Sequence, residues 1–421
     1  ARVFKSDKIL LPQSFLQGEY PMLESQINKL FSLPELKFTN KRNLTNHIIQ
    51  FDAYKLSEFE VCPKCATKAT KIHDHVFVHI KDVPIRDKIV YLRIRKRRFR
   101  CQNCNSVFRE PVPGIRKGFR STQRFRSHIR WCASNFTDLK RVTEKLKCSS
   151  WLVYKAFYEQ LSLEAKKMNY EWPKTIGIDE HSFVRNTKTH YKEFATVFVD
   201  FNNNRVREVT LGRSFDDLIN SRAFDIQGPE NVKNVVIDMS STYKKFVKKQ
   251  FPNALITSDK FHVVKLFNHA VNKIRIEIMK HPVFEKSKTS PMRRLYLTRD
   301  DRLSFSQRSI VKHINGLFPE LEEIYKFKER MLSIYNIRGF KRAKKALTKL
   351  TDEMAHSGRK AVQSLRRTLV KWRVEILNYF KSGITNAKTE GYNRKAKLIQ
   401  RKAYGYRNFE NYRLRLLYDC R

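Results

Sequence analysis

The chain has 421 residues, 41% of them hydrophobic, and carries 86 Lys and Arg against 41 Asp and Glu, a formal net charge of +45. That length suits two to four domains and that apolar fraction can bury a sizeable core, but no run of about eighteen apolar residues exists to cross a membrane. A charge this large calls for a polyanionic partner, because alone it costs self-repulsion.

The basic residues lie within segments of strong apolar periodicity. This favours a folded protein holding a long stretch of nucleic acid over a ribosome-like or membrane-surface protein. The chain opens at Ala1 with Arg2-Val3-Phe4-Lys5-Ser6-Asp7-Lys8 and not with an apolar signal core, so a cytoplasmic, nucleoid-associated protein is expected. A start without Met reads as a processed or trimmed chain. Seven cysteines is an odd count, and four of them form two CxxC pairs. That is metal usage in a reducing compartment, not a disulfide framework.

Residues 1–58 read as a lead-in. Leu23, Ile27, Leu30 and Phe31 fall at helical spacing until Pro34 breaks the pattern, which predicts a short helix and extended chain. Residues 59–115 read as a zinc ribbon. Cys62-Pro63-Lys64-Cys65 and Cys101-Gln102-Asn103-Cys104 can each clamp one side of a tetrahedral zinc ion. Strands are expected between them, over residues 79–85 and 88–95, the second alternating strictly with one basic face. His73 and His75 could compete as ligands, but four thiolates already fill the site. Cys132, Cys148 and Cys420 lack partners at ligand spacing. Residues 93–130 hold thirteen basic side chains and one acid, Glu110. Interleaved with Phe99, Phe108, Phe119 and Phe125, that density favours phosphate contact over a merely solvated face. The DNA-contact candidates are Arg95, Arg97, Arg98, Arg120, Arg124, Lys155 and, near the other end, Lys397.

Residues 116–172 read as a helix-turn-helix domain and linker. A first helix, begun by Ser121 or Thr122, carries Phe125, Ile129 and Trp131. Thr137 caps a second, with Leu139, Val142 and Leu146 inward. After the turn Lys147-Cys148-Ser149-Ser150 a third starts near Trp151 with Val153, Tyr154 and Phe157. Residues 162–172 then form the linker.

After Pro173 the pattern changes. Residues 175–178 make a short buried strand ending in Asp179. Strands follow over residues 194–199 and 206–211, then a helix from Asp216. The strand 235–237 ends in Asp238, the helix 240–250 is basic, the strand 254–257 ends in Ser258-Asp259, and a helix starts at Phe261. Three antiparallel strands, then alternating helices and strands, match an RNase H-like α/β core, here over residues 173–270. In such a core the first and fourth strand ends are neighbours. Asp179 and Asp238 would face one another at the carboxyl edge and repel unless a divalent cation lay between them. Two Mg²⁺ or Mn²⁺ ions, held by oxygen ligands, could activate water or a 3′-hydroxyl there.

Glu390 is the expected third carboxylate, near the start of a helix capped by Thr385 or Asn386, with Arg394 and Lys397 near its face to hold phosphate. Residues 271–382 read as an all-α basic insertion that contacts DNA, with Trp372 a candidate for stacking on an unpaired base. Residues 383–421 return as core helices carrying the last carboxylate. A lone Asp after a strand usually serves a turn or a cap, so the case rests on the set.

The residues that carry a resemblance are Ile176-Gly177-Ile178-Asp179-Glu180, Val235-Val236-Ile237-Asp238-Met239-Ser240, Ser258-Asp259-Lys260-Phe261-His262-Val263-Val264 and the end over 385–417. That end includes Ala403-Tyr404-Gly405-Tyr406-Arg407-Asn408-Phe409-Glu410-Asn411-Tyr412. Over roughly residues 20–420 the chain resembles bacterial insertion-sequence transposases of the ISL3 family. The resemblance implies a DDE triad of Asp179, Asp238 and Glu390, and it leaves the lead uncovered. Asp259 and His262 form a D-x-x-H similar to a feature of several DDE groups with a helical insertion. Its bland reading is a helix cap beside a packed His. Its functional one is phosphate contact or the orienting of a metal ligand.

The expected protein is multidomain α/β: a DNA transposase that binds terminal inverted repeats of double-stranded DNA, frees 3′-hydroxyls and joins them to target DNA, as a homodimer or larger assembly. The rivals are a structure-selective nuclease of the same core and a catalytically inactive, sequence-specific DNA-binding regulator.

Overall fold

The computed structural model describes residue 31 and residues 33–135, 138–168, 170–185, 192–280 and 289–421. The helical spacing of Leu23, Ile27 and Leu30 lies outside the described residues, as does Thr137. The chain divides into two compact units, residues 1–160 and 161–421.

The first unit is built on a sheet. Its strands are β1 Leu36–Thr45, β2 Ile48–Lys55, β5 Ile72–Ile85, β6 Lys88–Arg100 and β7 Val107–Arg109, with the small pair β3 Glu60–Val61 and β4 Lys68–Ala69 apart. The order is β1-β2-β6-β5, with β7 on β6; β2 and β6 are parallel and the other pairs antiparallel. The alternation expected over 88–95 holds: Val90, Leu92 and Ile94 are buried against Phe31, Phe38, Phe51 and Ile80.

One expectation changes. From Leu36 the lead-in is not a helix or loose extended chain but two strands of the same sheet as β6. The outer strand β1 is polar and exposed over most of its length, so it carries no period-two signal.

Three helices follow, α1 Gln123–Asn135, α2 Leu139–Leu146 and α3 Ser150–Lys167. Asp138 is the N-cap of α2, its carboxylate accepting from the Lys140 N–H at 2.8 Å, in the place expected of Thr137. Trp131 is not an inward residue of α1: it is 62% exposed, because Phe125, Ile129, Cys132 and Ala133 define the buried face and Trp131 lies off it. The expected linker begins later than 162, since α3 runs on to Lys167, and Trp172 is a buried core residue.

The second unit holds a five-stranded sheet made of β8 Thr175–Arg185, β9 Lys192–Asp200, β10 Arg205–Leu211, β11 Asn234–Ile237 and β12 Leu255–Ser258, in the order β10-β9-β8-β11-β12. The first three are antiparallel, and β11 joins parallel to both β8 and β12. The helices are α4 Phe215–Ile219, α5 Ser241–Gln250, α6 Lys260–Ile278, α7 Thr289–Leu297, α8 Phe305–Leu317, α9 Pro319–Ile334, α10 Phe340–Ala355, α11 Lys360–Lys371, α12 Arg373–Ser382, α13 Ala387–Lys402 and α14 Phe409–Asp419.

Strand parity sorts these helices between two faces. Ile176, Ile178, Val235 and Ile237 share one core with α5, α6 and the helices α8 to α12. Ala195, Val197, Val199, Val206, Val209 and Val236 share the other with Ala396 and Ile399 of α13 and Tyr412, Leu416 and Leu417 of α14. The helical stretch between Lys265 and Ser382 is thus present, and it packs as part of the first of these cores. Arg413 of α14 pairs with buried Glu208 of β10, Nη2 to Oε2 at 2.5 Å, which fixes α14 across the sheet.

Candidate active site

The strand that carries Asp179 does not stop there. β8 continues six residues further in antiparallel pairing with β9, because only its parallel partner β11 ends at Ile237. Asp179 therefore sits in mid-strand, where the pairing on one side runs out. Asp238 is the first residue after β11, and the register Val235↔Ile176, Val236↔Gly177 leads the two carboxylates to the same edge.

Parity then decides which way they face. Ile176, Ile178, Val235 and Ile237 point into the core on one side. Gly177, Asp179, Val236 and Asp238 belong to the other, the side covered by α13. Thr389 of α13 lies directly over Gly177, and Asn393 Nδ2 donates to Asp179 Oδ2 at 2.8 Å. The other oxygen, Oδ1, accepts from the Glu180 N–H at 2.9 Å. Asp238 Oδ1 accepts from the Ser240 N–H at 3.0 Å.

Both carboxyls are half-buried, and burial pushes each up to about 6. For Asp238 the charge of Glu180 adds to the rise, and that of Asp179 adds a smaller part. Two partly buried carboxylates that resist ionisation side by side are a donor set short of positive charge. Oxygen donors of this kind suit Mg²⁺ or Mn²⁺, so the residues fit the expected group.

Asp259 is buried at the N-cap position of α6, but its side chain does not cap that helix. It accepts instead from the Asn386 N–H at 3.3 Å and lies 3.1 Å from His262 Nδ1. His262 is held above its usual value, first by that bond to Asp259 and further by the charges of Asp179 and Asp238. The bland reading of Asp259 as a helix cap is thus not met, and its side chain instead ties the end of β12 to the start of α13.

Glu390 stands in the first turn of α13, half-buried, one residue past Thr389 and three before Asn393. Asn386 is the N-cap, without a side-chain cap bond. The side chain of Glu390 makes no hydrogen bond or ion pair among the described residues. Arg394 and Lys397 are exposed on the same helix.

Four residues of this neighbourhood carry no role in the sequence reading: Glu180, His181, Asn393 and Tyr412. His181 is buried, with Nδ1 3.2 Å from Asn393 Oδ1 and Nε2 2.6 Å from the Tyr412 hydroxyl. Glu180 accepts from the Tyr243 hydroxyl at 2.7 Å on the opposite side of the sheet. The available signals were parity with Asp179 for His181 and the three-residue step from Glu390 for Asn393.

The cysteine cluster forms as expected. The ligand atoms of Cys62, Cys65, Cys101 and Cys104 all lie within 4.8 Å of one another. The sulfurs are 3.5 to 3.6 Å apart where paired, close to the roughly 3.8 Å edge of a tetrahedron with zinc–sulfur bonds of about 2.3 Å. The Ser106 hydroxyl, 3.3 Å from Cys62, lowers that thiol and Thr67 pulls Cys65 down to about 6, whereas burial and the hydrogen bonds with Cys65 and Cys104 push Cys101 up to about 11; a zinc ion would hold all four as thiolates. His73 and His75 are exposed and outside the cluster.

The expected DNA-contact residues divide. Arg97 is held by buried Glu110, Arg98 by Asp74, and Arg124 by buried Asp82. Lys155 lies over the rings of Trp151 and Phe119. Arg95, Arg120 and Lys397 are exposed. Trp372 cannot stack on a base as placed. It is 2% exposed at the junction of α11 and α12, inside the apolar core.

Two family models and one transposase match this chain. The family model for ISL3-type DDE transposases, described as "Transposase", matches residues 176–416. A second, described as the zinc-finger of transposase IS204/IS1001/IS1096/IS1165, matches residues 58–104. The transposase for insertion sequence element IS1001 of Bordetella parapertussis is 24% identical over 380 residues, covering 85% of this chain and 87% of that protein. The chain belongs to the ISL3 family of DDE transposases, a class that binds DNA and uses a divalent metal, and its cysteine cluster is the family's structural zinc site. No helix among the described residues is long and apolar enough to cross a membrane.

Proposed function

We propose that the second unit is an RNase H-like nuclease and strand-transfer core, with Asp179, Asp238 and Glu390 as its metal-binding carboxylates. The observation that carries this is the parity of β8 and β11, which turns Asp179 and Asp238 toward the helix bearing Glu390. The strand order β10-β9-β8-β11-β12, antiparallel then parallel, supports the core. When bound, two Mg²⁺ or Mn²⁺ ions would supply the polarisation of the attacking water or 3′-hydroxyl and the stabilisation of the leaving oxygen.

The residues' own tasks follow from their places. Asp179 and Asp238 would hold the cations at the sheet edge. Glu390 closes the site from α13. His262, held by Asp259, stands where its ring N–H could meet an approaching phosphate. Arg394 and Lys397 hold the DNA backbone along α13.

In the first unit the zinc ribbon of 59–115 and the helix-turn-helix of α2 and α3 within 116–172 bind the terminal inverted repeats, with Arg95 and Arg120 as phosphate contacts. The basic insertion of 271–382 grips DNA through α10, where Lys341, Lys344 and Lys345 are exposed. The remaining divisions are the lead-in of 1–58, the core over 173–270 and its return over 383–421. Two ends must be paired before transfer, so the working form is a homodimer or larger, acting on the bacterial nucleoid in the cytoplasm.

The test uses labelled DNA bearing the element's own inverted repeats, with Mg²⁺ or with EDTA. Metal-dependent nicks at the repeat boundary that leave 3′-hydroxyls, and joining of pre-cleaved ends to target DNA, are expected. Asp179→Asn and Glu390→Gln should abolish both steps while retaining end binding. Normal cleavage by either variant would remove that residue from the site. Cleavage without joining would leave a nuclease, and tight binding without cleavage under any divalent metal would leave a regulator.

A further inference from the structure

A buried line of hydrogen bonds runs from α14 through β8 to α13 and ends on Asp179. Its links are Tyr412 Oη to His181 Nε2 at 2.6 Å, His181 Nδ1 to Asn393 Oδ1 at 3.2 Å, and Asn393 Nδ2 to Asp179 Oδ2 at 2.8 Å. All three backing side chains are buried: Tyr412 0%, His181 3% and Asn393 6% exposed. The last link sets the polarity of the rest. An ionised carboxylate only accepts, so Asn393 presents its amide nitrogen to Asp179 and its oxygen to His181. His181 then carries its proton on Nδ1, and Nε2 is left to accept from the Tyr412 hydroxyl.

Here we infer that Asn393 is a positioning residue for Asp179, with His181 and Tyr412 fixing the orientation of its amide. The inference rests on the reading of Asp179 as a metal ligand. A carboxylate on a strand is free to turn about its last torsion. Asp179 is not, because Glu180 N–H holds Oδ1 and Asn393 holds Oδ2. Each oxygen keeps a lone pair for a cation, and the plane of the group is set. The same bond ties Asp179 to α13, three residues from Glu390 and therefore on the same helix face, so one amide registers two carboxylates that come from distant parts of the chain. His181 and Tyr412 matter because an unbacked amide can flip, presenting oxygen to oxygen.

A purely structural role, docking α13 on the sheet, would affect stability alone. A positioning role affects metal binding and does so selectively. Mg²⁺ demands near-octahedral geometry at about 2.0–2.1 Å, so it should suffer more than Mn²⁺ from a carboxylate left free to turn.

The test measures Mn²⁺ binding to the full chain without DNA by electron paramagnetic resonance, Mg²⁺ by competition, and the melting temperature alongside. Asn393→Ala is expected to weaken Mg²⁺ binding about tenfold or more, as is usual when the partner of a ligand is lost, and Mn²⁺ by less. End cleavage should recover further in Mn²⁺ than in Mg²⁺. Tyr412→Phe removes one hydroxyl and should weaken Mg²⁺ in the same direction, by less than Asn393→Ala does.

Asp179→Asn is the control that separates the two readings. If it binds both metals as wild type does, the assignment of Asp179 as a ligand fails. If it loses binding but Asn393→Ala keeps wild-type Mg²⁺ affinity, the positioning role fails. Should Asn393→Ala not fold, Tyr412→Phe decides: unchanged Mg²⁺ affinity and an unchanged Mg²⁺-to-Mn²⁺ ratio overturn the inference.

Discussion

Gly177 shows how little room the proposed site leaves for a single atom. A Cβ built there would lie 2.1 Å from Thr389 Oγ1 and 2.6 Å from the Phe201 ring. The backbone itself is ordinary extended strand, so the demand is for space between β8 and α13, not for an unusual φ. Thr389 is fully buried and cannot swing aside into solvent. Gly177→Ala should therefore force α13 outward and cost about 1–3 kcal/mol by overpacking. Glu390 and Asn393 ride on that helix, so metal-dependent cleavage should fall further than the change in stability explains. Urea unfolding read beside end cleavage at a temperature where the variant is folded would check this. Wild-type values for both would mean that the close approach is not needed. Part of the proposed site was hidden in the sequence. Asp179 and Asp238 each follow a short apolar run and Glu390 lies in a family motif, but Asn393 bears on Asp179 only through helix periodicity across more than two hundred residues of chain. Arg394, the more conspicuous neighbour, is exposed.

Secondary-structure elements were legible wherever burial imposed a period. β6 alternates because one face meets an apolar core, and β11 and β12 are short apolar runs because both faces are covered. β1 was not legible, since most of its side chains meet solvent, and β8 was cut short because its pairing with β9 outlasts its apolar stretch. The zinc knuckles are a case where spacing alone was enough, and the structure adds a repeat below the level of motif. In each, the residue after the second cysteine is left-handed, Ala66 at φ 58 and Asn105 at φ 55. In each, the first cysteine N–H bonds the carbonyl five residues on, Cys62 to Thr67 and Cys101 to Ser106, both at 2.9 Å. Asn tolerates that conformation and Ala does not, at a cost of roughly 1 kcal/mol. Ala66→Asn should thus make the two knuckles alike and stabilise the zinc-loaded unit by about 0.5–1 kcal/mol. Slower zinc loss to a chelator, with one zinc per chain unchanged by metal analysis, is the expected readout. Faster loss would show that Ala66 is held by something other than its backbone.

For the whole molecule, the charge of +45 poses the question of which cations face DNA and which neutralise the protein's own acids. Density along the sequence could not separate them. Arg120 and Arg124 sit four residues apart in the same basic run, yet Arg120 is exposed and Arg124 grips Asp82, whose side chain is fully buried. Thr122 also donates to Asp82, at 2.6 Å, but carries no charge to balance it. Arg124→Ala leaves a buried carboxylate without its counter-ion and should cost about 3–5 kcal/mol of stability. Arg120→Ala should leave the melting temperature unchanged. The two should part in the opposite sense in DNA binding. Each phosphate neutralised contributes about 0.9 to the slope of log affinity against log salt, so Arg120→Ala should flatten that slope by about one unit for inverted-repeat and unrelated DNA alike. Arg124→Ala, measured where it is still folded, should keep the wild-type slope. If Arg124→Ala flattens the slope and Arg120→Ala does not, the exposed arginine is not the one that meets phosphate, and the DNA-facing surface of the first unit must be drawn through the Asp82 pair instead.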